Sequence, residues 1–403
     1  MTIIYELCSM KITLAQQNYH IGNFESNTSK IIAAIEAAKV EGSDLIVFSE
    51  MSICGYPARD FVEFNDFIDK CYCCIDIIKE HADTIGVLVG SPARNSIKHG
   101  KDLFNAAFFL YEKQIKAEVH KTLLPTYDVF DEYRYFEPAY EWKVIEFKNK
   151  KLAVTICEDI WNLGDNPLYR ICPMDALIDQ NPDLMINLSA SPFDYTHDEG
   201  RKAVVKSNVL KYKLPMFYCN AVGSQTEIVF DGASLVFDKD GNLCKSLPMF
   251  EEASVTVTLN NDGSIGVAIV EPASPVPDSD RTPTSLEEHL NIGQVYSALV
   301  LGIRDYFSKM GFKKAILGSS GGIDSAVTLA LACDALGKEN VRAVLMPSPY
   351  STEHSVDDAV QLSKNLDNPY DIIRIDGIYQ SFLETLKPVF NNLPFSLAEE
   401  NMQ

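Results

Sequence analysis

Residues 271–284 read EPASPVPDSDRTPT, with four prolines and no large aromatic side chain. Proline has no backbone N–H and a fixed φ, so such a stretch cannot run through a helix or a sheet interior. It reads as a linker that divides the 403-residue chain into two parts. The two parts carry different patterns. Before it, short apolar runs predict strands over 11–16, 44–48, 85–90, 103–111, 114–120, 151–156, 184–188, 216–221, 234–238 and 253–259. Helical spacing predicts helices over 26–40, 61–81 and 201–212. Strands outnumber helices and the two interleave, which fits an α/β sandwich with sheets inside and helices outside. After it the pattern becomes regular: helix 291–310, strand 315–317, helix 324–336, strand 341–346, helix 353–366, strand 371–375, and a helix from about 377. That is a βαβαβ series and implies a parallel sheet.

The formal charge of −21 argues against nucleic acid or an anionic membrane surface as partner. An anionic small substrate stays open, because net charge says little about one pocket. No run of 18 apolar residues and no basic leader followed by an apolar stretch occurs, so a soluble cytoplasmic protein is expected. The ten cysteines lack zinc-site spacing and most read as buried free thiols in a reducing compartment.

Two stretches carry chemistry. VTICEDIW (154–161) puts Cys157 directly after an apolar strand. A nucleophilic thiol needs a base or a lowered pKa. The acidic neighbours Glu158 and Asp159 would raise its pKa, so activation must come from elsewhere. A buried strand-end cysteine is the plain alternative. Glu50 follows the apolar run DLIVFS, where desolvation would suit a general base, or else it caps the following turn. Lys121 follows AEVH and could face a developing oxyanion, or else it is an ordinary surface lysine. In LGSSGGIDS (317–325), two adjacent glycines after a strand let N–H groups converge at a helix N-terminus. Ser320 and Ser325 could donate to phosphate oxygens. The loop is neither a Walker A sequence nor GxGxxG, and a capped strand-to-helix turn is the alternative.

Taken together, FSE (48–50), HKTLLPTYDVFDEYRYF (120–136), CEDIW (157–161), NLSASPF (187–193) and NAVGSQTEIVFDG (220–232) resemble the carbon–nitrogen hydrolase (nitrilase) superfamily. They are most similar to the glutaminase domain of glutamine-dependent NAD synthetases. SGGIDS (320–325) is similar to the pyrophosphate loop of the ATP pyrophosphatase fold. The resemblance implies an N-terminal αββα nitrilase-like sandwich over 1–270, a linker over 271–284, and over 285–403 the N-terminal part of a Rossmann-like parallel-sheet synthetase domain.

Carried over, Cys157 would attack the glutamine side-chain amide. Glu50 would shuttle the proton, and Lys121 would stabilise the oxyanion. Glu132 would orient the lysine and the substrate. Tyr127 and Glu158 would bind glutamine, and Ser189 and Ser191 would frame its pocket. Ser320, Gly321, Gly322, Asp324 and Ser325 would cradle the ATP pyrophosphate, with Asp324 helping to hold Mg²⁺. Ammonia would then amidate adenylated deamido-NAD. ATP and Mg²⁺ enter as a substrate complex, no tightly bound organic cofactor is implied, and a homo-oligomer is. The sequence departs from the pattern at Ser49 (usually proline), Ala221 and Thr226 (usually glutamine and aspartate) and Pro349 (often arginine). Two other readings are a stand-alone amidase with an inert second half, since the synthetase part looks shortened, and a nucleotide-sensing scaffold.

Overall fold

The computed structural model describes residues 9–97, 99–163, 169–194, 197–267 and 292–389. The proline-rich segment 271–284 lies outside the described residues. The chain forms two compact units, Met1–Ala298 and Leu299–Gln403.

The first unit begins with β1 (Met10–Gln16), α1 (Phe24–Val40), β2 (Leu45–Val47), α2 (Asn65–Lys79), β3 (Gly86–Arg94), β4 (Leu103–Tyr111) and β5 (Gln114–His120). It continues through α3 (Glu132–Tyr135), β6 (Ile145–Phe147), β7 (Lys150–Ile156), α4 (Pro173–Ile178), β8 (Leu184–Ser189), α5 (His197–Tyr212) and β9 (Met216–Asn220). The hairpin β10 (Val222–Gln225) and β11 (Ile228–Asp231) follows, then β12 (Leu235–Phe237), β13 (Leu243–Ser246), β14 (Ala253–Leu259) and β15 (Ile265–Val267). One sheet runs β15-β14-β1-β2-β3-β4-β5 and the other β13-β12-β9-β8-β7-β6.

Alternation along the strands builds three apolar layers. Ile12, Leu14, Leu45 and Val47 of one sheet meet Leu152, Val154, Ile156, Ile186 and Phe217 of the other in the central layer. Ile46 and Phe48 point to the opposite face, against Ile31 and Ile35 of α1 and Ile68, Cys71, Ile75 and Ile78 of α2. Ala153, Met185, Met216 and Tyr218 face outward from the second sheet, against Val205, Val209 and Tyr212 of α5. This is the αββα sandwich. Strands with both faces covered must be apolar on both, which is why they read as continuous runs. The nine described cysteines are free thiols, six of them buried. Among the described residues, no helix is long and apolar enough to cross a membrane.

The segment expected as one helix over 61–81 is broken. A 3₁₀ turn at Arg59–Glu63 ends at Phe64, whose extended backbone (φ −90°, ψ 121°) starts α2 afresh at Asn65. Seven short elements were not anticipated: α3, α4, β6, the β10–β11 hairpin, β13 and β15.

The second unit contains most of α6 (Ile292–Met310), then β16 (Ala315–Gly318), α7 (Ile323–Leu336), β17 (Val341–Leu345), α8 (Glu353–Leu366), β18 (Tyr370–Ile372) and α9 (Asp376–Leu386). Its sheet is parallel, in the order β16-β17-β18. Leu329, Cys333, Val341, Ala343, Leu345 and Ala359 form its core.

One glycine fixes how β3 supports the loop after β2. A Cβ on Gly90 would stand 2.7 Å from the Ser49 carbonyl oxygen and 2.8 Å from the Glu50 carbonyl carbon, and closer still to the Met51 nitrogen. All three are backbone atoms that cannot swing aside. Gly90→Ala should therefore push the Glu50 segment outward and cost about 1–3 kcal/mol, the usual range for overpacking a tight core. Urea denaturation measures it, and a loss below about 0.5 kcal/mol would contradict this packing.

Candidate active site

Four side chains emerge at or just past strand C-terminal ends. Cys157 directly follows β7, Lys121 follows β5, Glu50 lies three residues past β2, and Ser189 closes β8. Open α/β sheets present their ligands at this edge, where side chains converge on loops held by rigid strands.

Lys121 is fully buried and its Nζ donates to Glu50 Oε1 at 2.8 Å and to Glu132 Oε1 at 2.7 Å. Two of its three N–H groups are thereby committed and one is left for a ligand. Burial works against the charge on Lys121. The carboxylates of Glu132 and Glu50 outweigh it and hold the ammonium well above the ordinary lysine range. Glu132 is the first residue of α3, and its Oε1 also accepts the Tyr56 hydroxyl at 2.7 Å. Burial raises Glu132 to about 6, against the pull of Lys121. Glu50 Oε1 accepts a second hydrogen bond from Asn105 Nδ2 at 2.6 Å, while among the described residues Oε2 accepts only the Ala190 N–H at 3.0 Å.

Cys157 starts a 3₁₀ turn (Cys157–Ile160) with φ +45°, a left-handed conformation that a residue bearing a Cβ rarely adopts. The turn swings the thiol away from the strand direction while the residue stays buried. Burial and the Glu50 carboxylate push the thiol up, and Lys121 and the nearby Ser189 hydroxyl pull the other way. The net direction is upward, which favours the protonated thiol. Cys157 thus feels both Glu50 and Lys121, which are bonded to each other.

Asp159 ties these segments together. Its Oδ1 accepts the N–H groups of Thr122 (2.9 Å) and Leu123 (2.8 Å), next after Lys121, and its Oδ2 accepts that of Ile156 (3.0 Å), just before Cys157.

A cavity of about 290 Å³ opens onto Cys157 and Glu158, with Tyr127, Phe130, Trp161 and Ser191 among its walls. Glu158 is buried, which raises its carboxyl, and accepts the hydroxyls of Tyr127 (2.9 Å) and Tyr169 (3.1 Å). Ser191 lines this cavity. Ser189 sits behind it against the thiol, and its Oγ accepts the Tyr218 hydroxyl at 2.9 Å.

In the second unit, Ser319–Gly322 joins β16 to α7. Gly321 has φ +82°, and a Cβ there would stand 2.8 Å from the Ser355 carbonyl carbon. Only glycine lets this loop lie against the start of α8. Ser320 Oγ accepts the Gly322 N–H at 3.2 Å and lies 3.2 Å from Ser325 Oγ. Gly322 is the helix N-cap and offers no side chain to the first-turn N–H groups, which leaves them for an anion. A cavity of about 310 Å³ beside the loop is lined by Ser319, Ser320, Met346, Pro347, Ser351 and Ser355, among others. Asp324 is exposed in the first turn of α7. No group of three or more His, Cys, Asp or Glu able to hold a metal occurs among the described residues.

Glu50, Lys121, Glu132 and Cys157 therefore share one buried site, with Tyr127, Glu158 and Ser191 at the adjoining cavity. Ser320, Gly321, Gly322, Asp324 and Ser325 share one loop and helix start. The sequence reading had missed Tyr56, Asn105, Asp159 and Tyr169. A lone amide in the apolar run LFNAAFFLY was the available signal for Asn105.

Known proteins show the same two parts. The carbon–nitrogen hydrolase family model matches residues 11–264 and the NAD synthase family model matches 295–403. The glutamine-dependent NAD(+) synthetase of Synechocystis sp. is 39% identical over 399 residues, 97% of this chain and 69% of the relative. That of Thermotoga maritima is 37% identical over 413 residues, 98% of this chain and 70% of the relative. A solved glutamine-dependent NAD+ synthetase from Acinetobacter baumannii, in complex with ADP, superposes with TM-score 0.83 at 34% identity, covering 98% of this chain and 70% of that one. An amidase from Nesterenkonia sp. shares the fold of the first unit, with TM-score 0.54 and 18% identity, covering 64% of this chain and 94% of its own.

Asp159→Ala would strip the acceptor from three N–H groups around the buried site. At about 1–3 kcal/mol for each group left unsatisfied, the loss should reach about 3 kcal/mol or more. Asp159→Asn keeps one acceptor oxygen and should lose less. Chemical denaturation reads both, and a loss under about 1 kcal/mol in the alanine variant would contradict this role.

Proposed function

The chain belongs to the glutamine-dependent NAD(+) synthetases, and on that premise we propose that Cys157, Glu50, Lys121 and Glu132 are its glutamine-hydrolysing residues. The observation that carries this reading is the buried Lys121 ammonium clamped by Glu50 and Glu132 beside the Cys157 thiol. The match of 295–403 to the NAD synthases favours the ligase over an amidase with an inert second half.

The geometry suggests the following steps. Glu50 Oε2, with a single donor among the described residues, keeps a lone pair for the thiol proton. The sulfur attacks the carboxamide carbon of glutamine as Glu50 takes that proton. The third N–H of Lys121 meets the oxyanion that develops. The C–N bond breaks as Glu50 returns the proton to nitrogen, so ammonia leaves and a γ-glutamyl thioester remains on Cys157. Water, deprotonated by Glu50, then cleaves the thioester to glutamate and restores the thiol. A thiol that stays protonated at rest suits this concerted use of the base.

Glu158 is a buried carboxylate whose hydrogen-bond donors are two neutral hydroxyls. A cation in the cavity would complete its charge balance, and the α-ammonium of glutamine is one. Tyr127 serves as wall and hydroxyl donor, Ser191 as wall, and Ser189 as a polar neighbour of the thiol.

In the second unit, Ser320, Gly321, Gly322 and Ser325 would surround the pyrophosphate of ATP. A single exposed carboxylate fits Mg²⁺ brought in on the nucleotide, because that ion keeps waters and binds through one or two carboxylates plus phosphates. Asp324 would hold it, and its charge would neutralise phosphate oxygens. The carboxylate of deamido-NAD would attack the α-phosphorus of ATP with loss of pyrophosphate, and ammonia would then displace AMP to leave the amide. Cytoplasmic location and homo-oligomeric assembly belong to the same reading, on the family resemblance.

Two variants test the two halves. Cys157→Ala should lower glutamine hydrolysis at least about a thousandfold, since the covalent route disappears. Residual hydrolysis within about tenfold of the parent would refute the nucleophile. Asp324→Ala should weaken Mg-ATP binding at least about tenfold by calorimetry, while binding of ATP in excess chelator changes far less. Equal affinity for Mg-ATP in parent and variant would refute the metal role.

A further inference from the structure

Asn105 is the only amide in β4 and its residue is fully buried. It meets the site in two ways. Its backbone carbonyl accepts the Lys121 N–H at 2.8 Å, which extends the β4–β5 ladder onto the lysine itself. Its side-chain Nδ2 donates to Glu50 Oε1 at 2.6 Å and lies 3.4 Å from Glu132 Oε2. One amide therefore serves the same two carboxylates that Lys121 bridges.

The other end of this amide is left unsatisfied. Asn105 Oδ1 is buried and has no hydrogen-bond partner among the described residues. A buried carbonyl without a donor is costly. Turning the amide over would place that oxygen against two carboxylates, which is worse. A position needed only for packing would be better filled by leucine. The NH₂ end must therefore do something that an apolar group cannot.

We infer that Asn105 is a positioning residue for glutamine hydrolysis: its NH₂ group holds the Glu50 and Glu132 carboxylates in place, and it fixes Glu50 so that Oε2 faces the thiol. This rests on the proposed roles of Glu50, Lys121 and Cys157. The site holds two carboxylates and one ammonium. A second cation would balance the charge but would compete with Lys121 for the base. A neutral donor stabilises both anions without doing so. Asn105 is not part of the cavity wall at Cys157, so it should not bear on glutamine binding.

The test is the pH dependence of glutamine hydrolysis in the full chain. Asn105→Leu removes the donor and keeps the branching, with bulkier methyl groups in place of O and NH₂. It should lower kcat at least about tenfold near neutral pH, with KM within about threefold. Its acid limb should move to higher pH by about one unit, because carboxylates that lose a donor protonate more readily. Asn105→Asp is nearly isosteric. Beside two carboxylates it stays protonated and donates one hydrogen bond, so it should recover part of the kcat lost in the leucine variant. It should then decline on the alkaline side where the parent does not. If the leucine variant fails to fold by circular dichroism, the aspartate variant decides alone through that new alkaline limb. Parent-like kcat and superimposable pH profiles in the folded variants would overturn the inference, and so would a rise in KM that matches the fall in kcat. Failure of the underlying reading looks different: Cys157→Ala would then retain hydrolysis.

Discussion

Burying the ammonium of Lys121 is the constraint on which the rest of the first unit's site depends. A charged group taken out of water is expensive unless opposite charge and hydrogen bonds replace its hydration. Here Glu50 and Glu132 supply the charge, and each needs donors of its own. Tyr56, Asn105 and the Ala190 N–H meet that need. The requirement spreads outward from there. Gly90 must lack a side chain so that β3 can press on the backbone at Glu50, and Asp159 must hold the chain on both sides of the thiol. Removing one charge from such a cluster leaves the others unbalanced, so the group acts as a unit.

On the proposed roles, the same cluster lets a cysteine with a raised pKa suit the chemistry. Cys157 lies near a carboxylate that disfavours its anion and an ammonium that favours it, and burial tips the balance to the neutral thiol. On the proposed mechanism, Glu50 as base matters at the moment of attack, when charge moves from sulfur to the carbonyl oxygen near Lys121. In the second unit, backbone takes the place of side-chain charge. The sharp turn at Gly321 and the uncapped start of α7 present N–H groups, and the two serines brace the loop.

Much of this was legible in the sequence because both sites sit where apolar strands end. The strands over 103–111, 114–120 and 253–259 are found at those bounds, and Cys157, Lys121 and the SGGIDS loop follow strand ends as read. What was illegible has physical reasons. The β10–β11 hairpin turns through Thr226 and Glu227, with Thr226 at φ +53°, and neither turn residue is the glycine or asparagine that marks such turns. Phe64 breaks the expected 61–81 helix by its extended backbone, without a proline or glycine to announce it. Asn105, Tyr56 and Asp159 act across 55, 76 and 37 residues of chain respectively, so nothing local reveals their partners. The carboxylates of Glu50 and Glu132 could be named from the resemblance, but their sharing of one lysine is visible only in three dimensions.

The most direct measurement of the central claim is acid-quenched mass spectrometry of the protein during turnover with glutamine. The account predicts a glutamyl adduct confined to the peptide that carries Cys157, bound through sulfur and lost when glutamine is exhausted. Turnover with that peptide unmodified, or an adduct on another cysteine, would contradict it.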